Sequence, residues 1–263
     1  MISRMALIER DGVKLFYKDE GNAGTSAPLL LVHGWSCFHG HLAPQAAHFA
    51  PERRVVSVDL RGHGESDVVG PFTIEQFADD LVWLATALEL DRPVAIGHSM
   101  GGSVVVQAAS ARPDVLRAAV ALDSPLPEAG ALAAVTEPLL EGLGGPSFQE
   151  ALDAMIAATM FGPFDDPSVT AEITAVMSSA KQEVAFSAMK SSVTWAGADA
   201  VRASKVPLLA ISAAPGGFGD AAWLAPECPH LFIGQTVGAG HFNQIFAADQ
   251  VNAMIERFLA IAA

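Results

Sequence analysis

Apolar positions along the chain follow two rhythms: short unbroken runs, and longer stretches repeating every three or four residues. The runs at 28–32, 54–58 and 93–97 are bounded by turn residues, as buried strands are, and 118–122, 206–211 and 230–233 also read as strands. Leu7 to Arg10 and Val13 to Lys18 flank Asp11-Gly12, a pair that predicts a tight hairpin. Helical spacing predicts helices over His41 to Phe49, Thr73 to Leu90, 100–111 and Gln250 to Ala260. In the second of these, Ile74, Phe77, Ala78, Leu81, Leu84 and Leu88 share one face, with Thr73 as N-cap and Gln76 in the capping-box position. Strands alternating with helices predict an α/β fold, a doubly wound and mostly parallel sheet with its functional groups at the carboxyl ends of the strands. The alternation stops between Pro125 and Lys205, a stretch helical in composition and broken at Gly145-Pro146 and Gly162-Pro163. It predicts a small helical cap (125–205) inserted into one core made of 1–124 and 206–263.

Composition narrows the function classes. Of 263 residues, 51% are hydrophobic and 17% charged, and the formal net charge is −14. That balance argues against a nucleic-acid partner, which needs clustered Lys and Arg. It also disfavours a strongly anionic substrate. Cys37 and Cys228 lie too far apart for a metal-ligand spacing and make no disulfide framework. His39 and His41 lack a matching carboxylate or cysteine cluster, so no metal is expected, and no cofactor. No stretch reaches the ~18 to 20 apolar residues of a membrane span, and the first residues hold no signal-peptide run. The expectation is a cytoplasmic protein without a membrane partner; a homodimer is compatible with the apolar cap but not demanded.

The chemistry concentrates at Gly97-His98-Ser99-Met100-Gly101, which fits G-x-S-x-G and stands between a predicted strand and a helix that opens with small residues. Such a turn holds a serine hydroxyl clear of the sheet above a helix N-terminus. Three further pieces stand in order around it. His33-Gly34-Trp35 follows a buried run, Asp59 to Ser66 reads D-x-R-G-x-G-x-S, and Gly238-Ala239-Gly240-His241-Phe242 lies near the C-terminus. With these four pieces the chain resembles the α/β-hydrolase superfamily over essentially its whole length. The resemblance implies Ser99 as nucleophile and His241 as its base. It implies an oxyanion hole from the backbone N–H groups of Met100 and Trp35, with no role for either side chain. It assigns Arg61, His63 and Ser66 to a structural loop.

The acid partner departs from the commonest pattern of the superfamily. Asp220 follows the strand at 206–211, but late and before a predicted helix, where it suits an N-cap. Asp123 directly follows the strand at 118–122, where a minority of the superfamily takes its acid, and it is the better placed of the two. Within the apolar cap, Met155, Met160, Phe161 and Trp195 are expected to line the substrate pocket together with His33 and His98. The resemblance then implies hydrolysis of a carboxylic ester or lactone with an apolar acyl or alcohol part. A serine at the elbow disfavours chemistries that need a carboxylate nucleophile there. Carbon–carbon bond hydrolysis, cofactor-free dioxygenation (whose few enzymes resembling this chain also place the acid after the Asp123 strand) and a non-catalytic ligand receptor are the alternatives.

Overall fold

The computed structural model describes residues 2–22, 24, 26–214 and 217–262. Its centre is an eight-stranded sheet in the order β1-β2-β4-β3-β5-β6-β7-β8. The strands are β1 Ile2–Arg10, β2 Val13–Gly21, β3 Leu29–Val32, β4 Arg54–Val58, β5 Val94–His98, β6 Ala118–Leu122, β7 Leu208–Ser212 and β8 Leu231–Gln235. β1 and β2 form an antiparallel hairpin that joins β4 antiparallel, and the remaining pairs are parallel. Asp11 and Gly12 turn that hairpin with φ of 50° and 80°, the positive values that the Asp-Gly pair tolerates best.

Both faces of the sheet are covered at its centre, so every residue of β3, β5, β6 and β7 is buried, while the edge strand β8 exposes Phe232 and Ile233. Alternation along these strands still divides the layers. Leu29, Leu31, Val94, Ile96, Val120 and Leu122 pack with α1 Ala43–Phe49 and α10 Ala248–Ala262. Leu30, Val32, Ala95, Ala119 and Ala121 face α2 Ile74–Ala87 and α3 Met100–Ala111. Alanine on three of those five positions lets α3 lie close to the strands that carry it.

The expected helix at 41–49 divides into a 3₁₀ turn at His39–Leu42 and α1, with Pro44 at the helix start. At α2, Thr73 Oγ1 accepts from the Gln76 N–H at 3.2 Å, but the Gln76 side chain donates to Asp80 rather than back to residue 73. The capping box is therefore half formed, because Asp80 is the stronger acceptor. Asp80 is buried and bonds Arg61 through Nε at 2.6 Å and Nη2 at 2.8 Å, with Arg10 Nη1 at 3.2 Å. Arg61 also donates to the carbonyls of Val69 and Gly70, which fastens its loop to α2. Asp80→Ala leaves a buried guanidinium without its carboxylate and is expected to destabilise the fold by ~3–5 kcal/mol. Asp79→Ala, which removes only an exposed partner of Arg10, should stay within about 1 kcal/mol. Urea unfolding of the two variants side by side measures the difference.

Between β6 and β7 stand five helices, α4 Ala133–Gly144, α5 Phe148–Thr159, α6 Pro167–Ser178, α7 Gln182–Thr194 and α8 Gly197–Ala203. The two Gly-Pro breaks fall between α4 and α5 and between α5 and α6. α7 is tied to the core at three points. Trp35 Nε1 donates to the Ala185 carbonyl at 2.9 Å, the Ile74 N–H to Ser191 Oγ at 2.9 Å, and Val184 packs where a Cβ on Gly62 would stand. Among the described residues no helix is long and apolar enough to cross a membrane.

Candidate active site

The turn at Ser99 joins β5 to α3 under strain, with φ 54° and ψ −123° for a residue that bears a side chain. The glycines on either side make this possible. A Cβ on Gly97 would run into the Gly101 backbone, and one on Gly101 into the carbonyls of Val32 and His33. Ser99 is thereby raised over the first turn of α3. Met100 is the first residue of that helix, so its N–H has no acceptor within the helix. Gly34 brings the loop after β3 against the same point, where a Cβ would stand 3.1 Å from the Ser99 Cβ. Trp35, the next residue, lines the same cavity.

Ser99 Oγ lies 2.8 Å from His241 Nε2, and His241 Nδ1 lies 2.6 Å from Asp123 Oδ2. A ring nitrogen facing a carboxylate carries the proton, so Nδ1–H donates to Asp123 and Nε2 is free to accept from the serine. Asp123 has φ 43°, and its second oxygen accepts from the Ala213 N–H at 2.8 Å. The carboxylate is thus aimed by β7 as well as by β6. Asp123 and His241 are both almost excluded from water. The Asp220 carboxylate accepts from the Ala222 N–H in the 3₁₀ turn after β7. Pro215 and Gly216 of the intervening loop lie outside the described residues.

A cavity of about 40 Å³ opens at Ser99. Met155, Met160 and His98 line it, together with Cys37, Met177, Met189 and Phe242. His33, Phe161 and Trp195 are absent from its wall. His33 is buried and accepts from the Leu60 N–H through Nε2 at 3.0 Å, while Nδ1 donates to the Gly34 carbonyl at 2.8 Å. Phe161 stacks on Phe242, and Trp195 donates to Gln107 on α3. Phe161 thus backs Phe242 of the wall, whereas His33 and Trp195 are bonded into the surrounding core. Burial raises the pKa of the Cys37 thiol. His39 pairs with Asp59, and His41 packs edge-on against Phe38 and Phe242.

Several of these loops depend on neutral imidazoles. Burial pushes His33 and His41 down to about 4 and His63 down to about 3, from an ordinary 6.5. His98, buried beside His241, is also pushed well down. In the unfolded chain these groups take up protons near 6.5, so folding stability is fully present above that pH. It is lost as the pH falls from there through the folded values near 4 and 3. The urea midpoint is therefore expected to decline steadily between about pH 6.5 and 4, and His63→Phe should flatten part of that decline.

Comparison with known proteins now bears on this arrangement. The model of the alpha/beta hydrolase family matches residues 29–260. Lipase LipV of Mycobacterium tuberculosis is 34% identical over 137 residues, 51% of this chain and 46% of the lipase. The 2-heptyl-3-hydroxy-4-quinolone dioxygenase AqdC2 of Rhodococcus erythropolis is 33% identical over 106 residues, 40% of this chain and 39% of the dioxygenase. The chain spans less than half the length of these curated relatives. The enol-lactonase of Burkholderia xenovorans LB400 superposes with a TM-score of 0.85 at 25% identity, over 97% of this chain and 100% of the lactonase. A family match over most of the sequence and a superposition over nearly all of the fold agree: this chain belongs to the alpha/beta hydrolase family.

Proposed function

We propose that the protein is a serine hydrolase that cleaves a carboxylic ester or lactone with a short apolar acyl part through an acyl-enzyme. The observation that carries this reading is the unbroken line from Ser99 Oγ through His241 to Asp123, at 2.8 and 2.6 Å. In this reading His241 Nε2 takes the serine proton as Oγ attacks the ester carbonyl. The N–H groups of Met100 and Trp35 hold the oxyanion, a contribution whose loss costs about 10²- to 10³-fold in rate. His241 then protonates the departing alcohol, or the ring-opened oxygen of a lactone. Water deprotonated by the same imidazole releases the acid and restores Ser99. Asp123 keeps the imidazole in the useful tautomer and stabilises its cation.

The cavity supports the substrate class. It is much smaller than the ~300–1,000 Å³ of sites for drug-sized ligands, and its wall of four Met side chains is apolar and adaptable. The test is hydrolysis of p-nitrophenyl acetate, butyrate and octanoate by wild type and Ser99→Ala, with Ser99-dependent turnover expected and the optimum at acetate or butyrate. Absence of Ser99-dependent turnover on esters and lactones alike would overturn the proposal. Similarity to a dioxygenase, together with an acid after β6, favours a second reading, in which His241 and Asp123 act as a base dyad on a heteroaromatic and Ser99 only binds it.

A further inference from the structure

The loop that carries His241 is held from the cap as well as from the core. After α5 the chain runs through 160–166 before α6 begins. The His241 N–H donates to the Met160 carbonyl at 3.1 Å. One residue earlier, the Gly240 N–H donates to the Asp165 carboxylate, at 3.1 Å to Oδ1 and 3.3 Å to Oδ2. The same carboxylate accepts from the Gly162 N–H at 2.8 Å, which curls the cap loop around it. Asp165 is buried, with 7% of its surface exposed. The two backbones meet as closely as glycine permits. A Cβ on Gly240 would collide with the Gly162 nitrogen and stand 2.6 Å from Asp165 Oδ2. From the opposite side, His98 Nε2–H donates to the His241 carbonyl at 2.9 Å. The peptide before the imidazole is therefore fastened to the cap, and the peptide after it to the elbow.

We infer that Asp165 is a positioning residue that couples seating of the cap to placement of the His241 ring between Ser99 and Asp123. The inference rests on the hydrolytic reading of Ser99 and His241 given above. Without this carboxylate, two backbone N–H groups at the junction lose their acceptor, and the cap loop loses what holds it against Gly240. The His241 N–H bond to the Met160 carbonyl then loses the support of the neighbouring tether. A displacement of the ring by about 1 Å is worth about 10²-fold in rate, because the proton transfer from Ser99 needs a short, aligned contact.

The test compares wild type with Asp165→Ala, Asp165→Asn, Asp166→Ala and His241→Ala. Asp166 is the N-cap of α6, bonding the N–H groups of Ser168 and Val169, so its alanine variant weakens the cap without touching the histidine loop. Two quantities are read: the far-downfield proton resonance of His241 Nδ1–H bonded to Asp123, identified by its absence in His241→Ala, and kcat and KM on p-nitrophenyl acetate. Asp165→Ala should broaden or lose the resonance and lower kcat about 10- to 100-fold with KM little changed. Asp165→Asn, which keeps one oxygen acceptor and serves if the alanine variant fails to fold, should fall between it and wild type. Asp166→Ala should keep both the resonance and kcat. An intact resonance with kcat near that of Asp166→Ala, in both Asp165 variants, would overturn the inference. If wild type shows the resonance but no ester turnover, the hydrolytic reading fails, and the resonance alone still decides the role of Asp165.

Discussion

Ser99→Ala is expected to lower kcat/KM on a short p-nitrophenyl ester by about 10⁴- to 10⁶-fold while leaving the melting temperature nearly unchanged. The change removes one oxygen atom and adds no volume. The backbone at position 99 keeps the same strain, since alanine is no more tolerant of φ 54° than serine is. The glycines at 97 and 101 and the packing of α3 on β5 stay as they are. What is lost is the attacking atom itself and the group from which His241 Nε2 accepts at 2.8 Å. Because a nucleophile and its base act as a unit, His241→Ala should be about as damaging, and the double variant little worse than either alone. A strictly additive double variant, or Ser99→Ala turnover within about tenfold of wild type, would exclude an acyl-enzyme on this serine. The dioxygenase reading makes the opposite forecast: a base dyad that needs Ser99 only for binding would lose far less.

The elbow and the central strands were legible in the residues because each is a local pattern. Gly97 and Gly101 announce a turn that tolerates no Cβ, and the short runs at 93–97 and 118–122, bounded by turns, read as the strands found at 94–98 and 118–122. Contacts between remote segments were harder to read. Asp123 and His241 are 118 residues apart, whereas the bond of Asp220 to the Ala222 N–H is local and agrees with its reading as a cap. The cap shows the same limit more sharply. Helical spacing identifies an apolar face but not whether that face meets the sheet, another helix or a cleft. Trp195, expected at the pocket, instead bonds Gln107, whereas Met177 and Met189, not singled out in the sequence, stand at the cavity. Asp165 and Asp166 are adjacent, identical and followed by a helix, so the sequence does not tell their roles apart. Only Asp166 caps α6, while Asp165 turns inward to the histidine loop.

Asp123→Asn is expected to lower ester turnover by about 10⁴-fold, and Asp220→Asn to leave it near wild type. Asparagine suits position 123 structurally. Like aspartate it accepts the φ of 43° found there, and its carbonyl can still receive the Ala213 N–H. That bond decides the chemistry. With the amide oxygen committed to Ala213, the amide nitrogen faces His241 Nδ1, and two donors cannot share that contact. The imidazole must then shed its Nδ1 proton and carry it on Nε2, where it can no longer accept from Ser99 Oγ. The base is lost through its tautomer, with the ring still in place and the fold intact. The loss should shrink as the pH is raised, when hydroxide can relieve the need for a protein base, so the rate measured against pH separates a tautomer effect from a displaced ring. Full activity in Asp123→Asn together with its loss in Asp220→Asn would move the acid to the other strand end and unmake the line through His241.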